Sequence, residues 1–352
     1  MSRFFTERYA SLVPYIPGEQ PQDMQYVKLN TNESPFPPSP GVVEAAAREA
    51  GNCRLYSDPE SRLVSEAFAA SLGLKREQVL ACNGSDETLN FAFMAFGREL
   101  AFPDISYGFY PVFAELNHIP YTEIPLRKDL SLAPEDYYGL HKMIVLANPN
   151  APTGMALKRD EIEAIVKANP DEVVLIDEAY VDFGAESAVG LIEKYDNLLI
   201  AQTFSKFRSL AGARLGFAIG DAALIRDLNT IKYATNPYNV NRMTSAAGIA
   251  ALEEDAYYRA NARTIQANRR FTTDALRALG FEVPESSSNF VFARRPGLSG
   301  ETLYRELKKR GVLVRHFSKP RIDDYVRVTI GTREQMDIFL RETETVIKEV
   351  LV

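Results

Sequence analysis

Residues Thr203–Phe217 read "TFSKFRSLAGARLGF". They follow directly on "NLLIAQ" (Asn197–Gln202), an apolar run with the length of a buried strand, and lead into a second such run, "LGFAIG" (Leu215–Gly220). The stretch between is small and polar, with a lysine, Lys206, and further on an arginine, Arg214. A lysine at the end of a buried strand is either a solvated loop residue or a buried amine with a chemical task. The rest of the chain decides between them.

The 352 residues are 46% hydrophobic and 25% charged, ordinary values for a globular protein. That length implies one large domain plus a smaller one. A net charge of −7 argues against nucleic acid as the main partner. The two cysteines, Cys53 and Cys82, and the three histidines form no C-x-x-C or H-x-x-x-H pattern, so neither a disulfide framework nor a metal site is expected. A reducing compartment fits this usage. The N-terminus has no signal-peptide core, and no apolar run reaches the ~18 residues of a membrane span, so a cytoplasmic location without membrane contact is expected.

Residues 1–40 are rich in Pro, Asn and Ser and read as an extended arm. Over 41–236 short apolar runs ("QVLAC", "KMIVLAN", "DEVVLIDEA", "NLLIAQTF", "RLGFAIG") alternate with amphipathic ones ("GVVEAAAREA", "DETLNFAFMAF", "LKRDEIEAIVKA"). This alternation predicts an α/β large domain, a mostly parallel sheet flanked by helices. Residues 237–280 carry a long helical pattern that connects to a small α+β domain over 281–352, whose last helix opens with Thr332 and Gln335 at capping-box spacing.

Ligands of such sheets sit beyond the carboxyl ends of the strands, so the residues that follow strands are the ones to examine. After "VLAC" come Asn83, Gly84, Ser85 and Asp86 and then a helix, an arrangement that offers free N–H groups to an anion. A plain helix cap by Ser85 or Asp86 is the alternative. Asp177 ends a buried run, where a carboxylate is costly unless a cation meets it. Tyr180 lies three residues on, and Lys206 and Arg214 follow the next strand. A phosphate suits the cradle and Arg214, a protonated ring nitrogen suits Asp177, and an aldehyde suits Lys206 as a Schiff base. Pyridoxal 5′-phosphate has all three features.

At these residues the chain resembles the fold-type I pyridoxal-phosphate aminotransferases, and in particular the histidinol-phosphate aminotransferases. "SKFRSLAGARLG" is similar to their lysine motif. "LNTNESPF", "LYSDPE", "NGSDE", "SYGFY", "PTG", "LIDEAY", "GVLVR" and "VRVTIGT" follow in the family's order over nearly the whole chain. The resemblance implies that Lys206 holds the cofactor and moves the proton, that Asp177 keeps the ring nitrogen protonated, and that Tyr180 meets the ring O3′. It implies Tyr107 stacked on the ring and a phosphate cup of Gly84, Ser85, Asp86, Thr203, Ser205 and Arg214. Tyr56 would reach the phosphate of a neighbouring subunit, which makes a homodimer with shared active sites. The sequence departs from the pattern at Ala151, where the family has an O3′-binding asparagine; Asn150 or Asn148 is the candidate substitute, with Tyr180 carrying more of the O3′ contact as the alternative. Ser57 stands where proline is usual.

The same resemblance sets Tyr15, Asn32, Arg315 and Arg327 against the substrate, with the two arginines and Tyr15 facing a phosphate monoester. The expected reaction converts histidinol phosphate and 2-oxoglutarate to imidazole-acetol phosphate and glutamate in ping-pong order. The alternatives are an aminotransferase for aromatic amino acids, a phospho-amino-acid decarboxylase of the same fold, and a non-catalytic protein that kept the fold.

Overall fold

The computed structural model describes residues 2–351. In chain order the strands are β1 (Val27–Lys28), β2 (Val79–Cys82), β3 (Leu100–Pro103), β4 (Tyr121–Ile124), β5 (Met143–Ala147), β6 (Val174–Asp177), β7 (Leu198–Thr203), β8 (Gly216–Gly220), β9 (Phe290–Arg294), β10 (Val312–Leu313), β11 (Arg315–His316) and β12 (Tyr325–Thr329). The helices are α1 (Pro40–Ala50), α2 (Arg62–Ser71), α3 (Ser85–Phe96), α4 (Phe109–Leu116), α5 (Arg159–Ala168), α6 (Ala222–Thr235), α7 (Arg242–Glu253), α8 (Asp255–Ala278), α9 (Gly300–Lys309) and α10 (Arg333–Val350).

Seven strands form one sheet in the order β2-β8-β7-β6-β5-β3-β4. β8 alone runs against its neighbours, so the sheet is mostly parallel. Every residue of β2, β3, β5, β6 and β8 is buried. Burial on both faces is what continuous apolar runs produce when helices cover each side. The sheet has two more strands than the five apolar runs predict. β3 is a short "LAFP", and β4, "YTEI", is an edge strand with exposed central residues.

The carboxyl ends of β2, β5, β6 and β7 meet at one edge. Gly216, the first residue of β8, stands opposite both Cys82 and Thr203 there. A Cβ on Gly216 would lie 2.5 Å from the carbonyl carbon of Gly84 and 2.6 Å from the Ser85 nitrogen. Only a glycine lets β8 pass this close beneath the start of α3.

Three of the remaining five strands form an antiparallel sheet, β11-β12-β9, and the other two, β1 and β10, form a two-stranded one. The N-terminal arm is thereby tied in, since β1 pairs in parallel with β10. At the last helix, Thr332 Oγ1 accepts from the Gln335 N–H and Gln335 Oε1 accepts from the Thr332 N–H, the reciprocal pair that its spacing predicts. The long helical pattern before this region is broken into α7 and α8 at Glu254. Just past the break, the Asp255 carboxylate accepts from Arg208 Nη2 at 2.8 Å. That tertiary ion pair lies beyond the reach of helical periodicity.

The close approach at the sheet edge gives a stability test. Gly216→Ala is expected to lose about 1–3 kcal/mol, the usual range for overpacking against backbone that cannot yield. Urea unfolding measures it, and an alanine variant as stable as the parent would contradict the packing.

Candidate active site

A cleft opens at this edge, its space running out into solvent. Residues from the arm, both sheets and α3 line it. The sequence-predicted residues Tyr15, Asn32, Ser85, Asp86, Tyr107, Asp177, Tyr180, Thr203, Ser205, Lys206, Arg214, Arg315 and Arg327 all reach this lining. Convergence of so many separate segments on one cavity is a strong constraint on what the cavity holds.

Asp177 ends β6 and is 4% exposed. Its Oδ1 accepts from the Ala179 N–H at 3.2 Å, and its Oδ2 accepts from the Tyr110 hydroxyl at 3.1 Å. Burial pushes this carboxyl up to about 6, while the two donors pull the other way. Lys206 follows β7. Its Nζ lies 3.4 Å from the Thr31 carbonyl oxygen and 5.9 Å from the Tyr180 ring centroid. The Tyr180 hydroxyl accepts from Asn32 Nδ2 at 3.0 Å, and its ring packs edge-on against Phe290.

Gly84 has φ +78, and a Cβ there would come 2.5 Å from Arg214 Nη2. No side chain caps α3. The capping alternative therefore fails: Asp86 accepts instead from Arg214 Nη2 at 2.9 Å and from the Tyr107 hydroxyl at 2.8 Å. Open N–H groups at a helix N-terminus, with a guanidinium beside them, form a cradle for an anion. Thr203 Oγ1 and Ser205 Oγ, 2.9 Å apart, add hydroxyls on the β7 side. Pyridoxal phosphate fits these groups: the cradle for its phosphate, the buried carboxylate for a cationic ring nitrogen, and a lysine for its aldehyde.

Three predicted residues are not part of the cleft lining: Gly84, whose turn lies behind Arg214, Asn150 and Tyr56. Asn150 is buried, and its amide is taken up by the segment after β3 and by its own loop. It accepts from Ser106 Oγ at 2.8 Å and donates to the Ile105 carbonyl at 3.0 Å and to Thr153 Oγ1 at 3.2 Å. Asn148 is likewise engaged with the backbone of Leu157. Ala151 itself lines the cleft, so neither asparagine stands in for the one the resemblance leads one to expect there. Tyr56 is 79% exposed and stacks on Tyr238 with centroids 4.5 Å apart.

The outer end of the cleft is cationic. Arg315 on β11 faces Arg327 on β12 across the small sheet. Arg327 donates to the Asn30 carbonyl at 2.9 Å and sits between the Phe290 and Phe317 rings, while its buried Nε has no partner. Arg315 donates to the carbonyls of Ile16 and Pro17 and so holds the arm that carries Tyr15. Burial raises the Tyr15 phenol above its ordinary range, against the pull of these two arginines. Two further groups escape sequence reasoning. Tyr110, in "SYGFY", sits beneath Asp177. Phe317, between the two arginines, lies two residues beyond "GVLVR".

A lysine, a buried carboxylate and an uncapped anion cradle at the carboxyl edge of a mostly parallel sheet are the equipment of a fold-type I pyridoxal-phosphate enzyme. The sequence model of "Aminotransferase class I and II" matches residues 24–342, and the chain belongs to that family. Within it, the chain is 51% identical to the histidinol-phosphate aminotransferase of Marinomonas sp. (strain MWYL1), over 96% of this chain and 97% of that one. It is 46% identical to the histidinol-phosphate aminotransferase of Brachyspira hyodysenteriae, over 99% and 100%. The crystal structure of histidinol-phosphate aminotransferase from Sinorhizobium meliloti in complex with pyridoxal-5′-phosphate superposes with a TM-score of 0.89 at 22% identity, covering 99% of each chain, which shows the shared fold.

The buried carboxyls give a pH test. Burial pushes Glu178, beside Asp177, up to about 7 from 4.5, although the Ala188 N–H, Ser187 and Gln202 all donate to it. A carboxyl whose folded pKa is raised holds its proton more tightly in the folded state. Its contribution is fully favourable below its unfolded pKa and is lost as pH rises through the folded one. Cofactor-free protein is therefore expected to lose stability between pH 5 and 8, by roughly 2–3 kcal/mol from this residue. Carboxylates held low by ion pairs, such as Asp255, act in a more acidic window. Urea unfolding at several pH values measures the slope, and Glu178→Gln should flatten it. An unchanged slope in that variant would contradict the assignment.

Proposed function

We propose that the chain transfers an amino group reversibly between histidinol phosphate and 2-oxoglutarate, giving imidazole-acetol phosphate and glutamate, a step of histidine biosynthesis. One observation carries this reading. Arg315 and Arg327 stand opposite each other at the mouth of the same cleft that holds Lys206 and Asp177. A forked cation there receives either a phosphate monoester or the side-chain carboxylate of the dicarboxylic amino donor.

Bound pyridoxal phosphate supplies an aldehyde for the substrate amine and a ring that takes up the electron pair left at the substrate Cα. The protein's residues do the rest. The N–H groups at the start of α3, with Arg214, Ser205 and Thr203, anchor the phosphate. Asp177 would hold the ring nitrogen and stabilise its positive charge. Tyr107 would pack against the ring, and Tyr180, which accepts from Asn32, would meet the ring oxygen. Lys206 Nζ would hold the aldehyde carbon of the cofactor until the substrate amine displaces it, and would then carry the proton from the substrate Cα to that same carbon. Tyr15 and Phe317 enclose the reacting groups and exclude water.

Tyr56, the Tyr238 ring stacked on it and the adjoining Leu55 are all exposed. Apolar patches of this kind mark interfaces, and a second copy of the chain seated there would bring Tyr56 to its partner's cofactor phosphate. The working form in this reading is a cytoplasmic homodimer. Among the described residues no helix is long and apolar enough to cross a membrane.

Lys206→Ala should lose the cofactor's visible absorbance band and all measurable turnover of histidinol phosphate. Near-normal turnover in that variant would refute the mechanism. Arg327→Lys removes the fork but keeps the charge. It should raise KM for both histidinol phosphate and glutamate by roughly 10- to 100-fold, the value of one or two charge-assisted hydrogen bonds. Steady-state assays with phenylalanine as a competing donor provide the control. An aminotransferase for aromatic substrates would show the greater rate there.

A further inference from the structure

Tyr110 lies in the first turn of α4 and is fully buried. Its ring packs between Phe102, at 5.7 Å, and Tyr107, which meets it edge-on at 86°. A phenylalanine would satisfy that packing equally well. The hydroxyl is therefore the feature to explain, and its one partner is Asp177 Oδ2 at 3.1 Å. Burial, and then the neighbouring Asp177 charge, keep this phenol protonated far above its ordinary range. It is a permanent donor.

We propose that Tyr110 is a positioning residue for the cofactor: its hydroxyl orients the Asp177 carboxylate toward the ring nitrogen and keeps it ionised at neutral pH. The inference rests on the pyridoxal-phosphate reading given above. The other groups around the Asp177 carboxyl are the Ala179 N–H, which holds Oδ1, the Asp86 carboxylate, which disfavours its charge, and Lys206, which favours it. Tyr107 and Tyr180 flank the same space. One backbone donor and one lysine oppose burial and Asp86 from other directions, so the phenol is the only side-chain hydrogen bond on this carboxyl. With both oxygens held from the protein side, the carboxylate's remaining lone pairs are left to the cleft. Without the phenol, a neutral carboxyl could not pair with a cationic ring nitrogen.

The test is the affinity of the cofactor-free protein for pyridoxal phosphate between pH 5 and 9, by fluorescence titration. It compares the parent, Tyr110→Phe, Asp177→Asn and the double variant. The parent should bind progressively more weakly below about pH 6, where Asp177 takes up its proton. Tyr110→Phe should show the same decline beginning roughly one pH unit higher, so that its binding is about 2-fold weaker than the parent's at pH 7 and approaches ~10-fold weaker at pH 5. In the Asp177→Asn background the Phe substitution should have no further effect on affinity. An affinity loss equal at every pH, or undiminished in the Asp177→Asn background, would reduce Tyr110 to a packing residue and overturn the proposal. So would an affinity unchanged from the parent. A parent protein that fails to bind pyridoxal phosphate overturns the underlying reading instead, a result distinguishable from all of these. If Tyr110→Phe is recovered only as aggregate, refolding at pH 5.5 and pH 8 takes the place of titration. Recovery confined to the acidic condition, where Asp177 is neutral and needs no donor, supports the proposal, and failure or equal recovery at both contradicts it.

Discussion

The structure turns on a carboxylate that has no business being dry. Asp177 ends a strand buried on both faces, in the middle of the sheet, and almost none of it touches solvent. Removing an ionised carboxylate from water is costly unless donors and a cation replace the water. The protein supplies the donors, Ala179 and Tyr110, and part of the charge, Lys206. In the proposed reading, the ring nitrogen of bound pyridoxal phosphate would supply the rest. The sheet edge therefore reads as a site whose stability and chemistry share one group.

The surrounding fold serves that group by bringing segments from the whole chain to one place. The reversed strand β8 needs a glycine at position 216 to slip under the turn that starts α3, and that turn is the anion cradle. On the opposite side, Asn32 ties the arm to both sheets. Its side-chain oxygen accepts from the Thr329 hydroxyl on β12, its amide donates to Tyr180, and Asn289 donates to its carbonyl. Asn32 adopts a left-handed backbone, φ 57, that asparagine tolerates better than most residues. The arm is thus fixed to the small sheet, and with it the position of Tyr15 over the cleft.

Much of this was legible in the sequence because buried parallel strands leave continuous apolar runs and the polar residues that follow them stand out. Asp177, Lys206 and Arg214 are conspicuous for that reason. β3 and β4 are not, because one is only four residues long and the other is a half-exposed edge. The break at Glu254 is equally hidden, being set by contacts with Arg208 rather than by helical pattern. Side-chain orientation is the other limit. Sequence puts Asn150 next to the family's usual position, but Ser106 and Thr153 capture its amide. Tyr110 shares a short motif with Tyr107, and the three-residue spacing that sets both on one side of a helical turn was the signal available. Its partner lies 67 residues away in the chain.

The most direct test of the account is chemical trapping. Protein loaded with pyridoxal phosphate is reduced with borohydride, digested and mapped by mass spectrometry. The account predicts one stoichiometric pyridoxyl adduct, on Lys206. An adduct spread over surface lysines, or seated on another lysine while Lys206 stays unmodified, would contradict it.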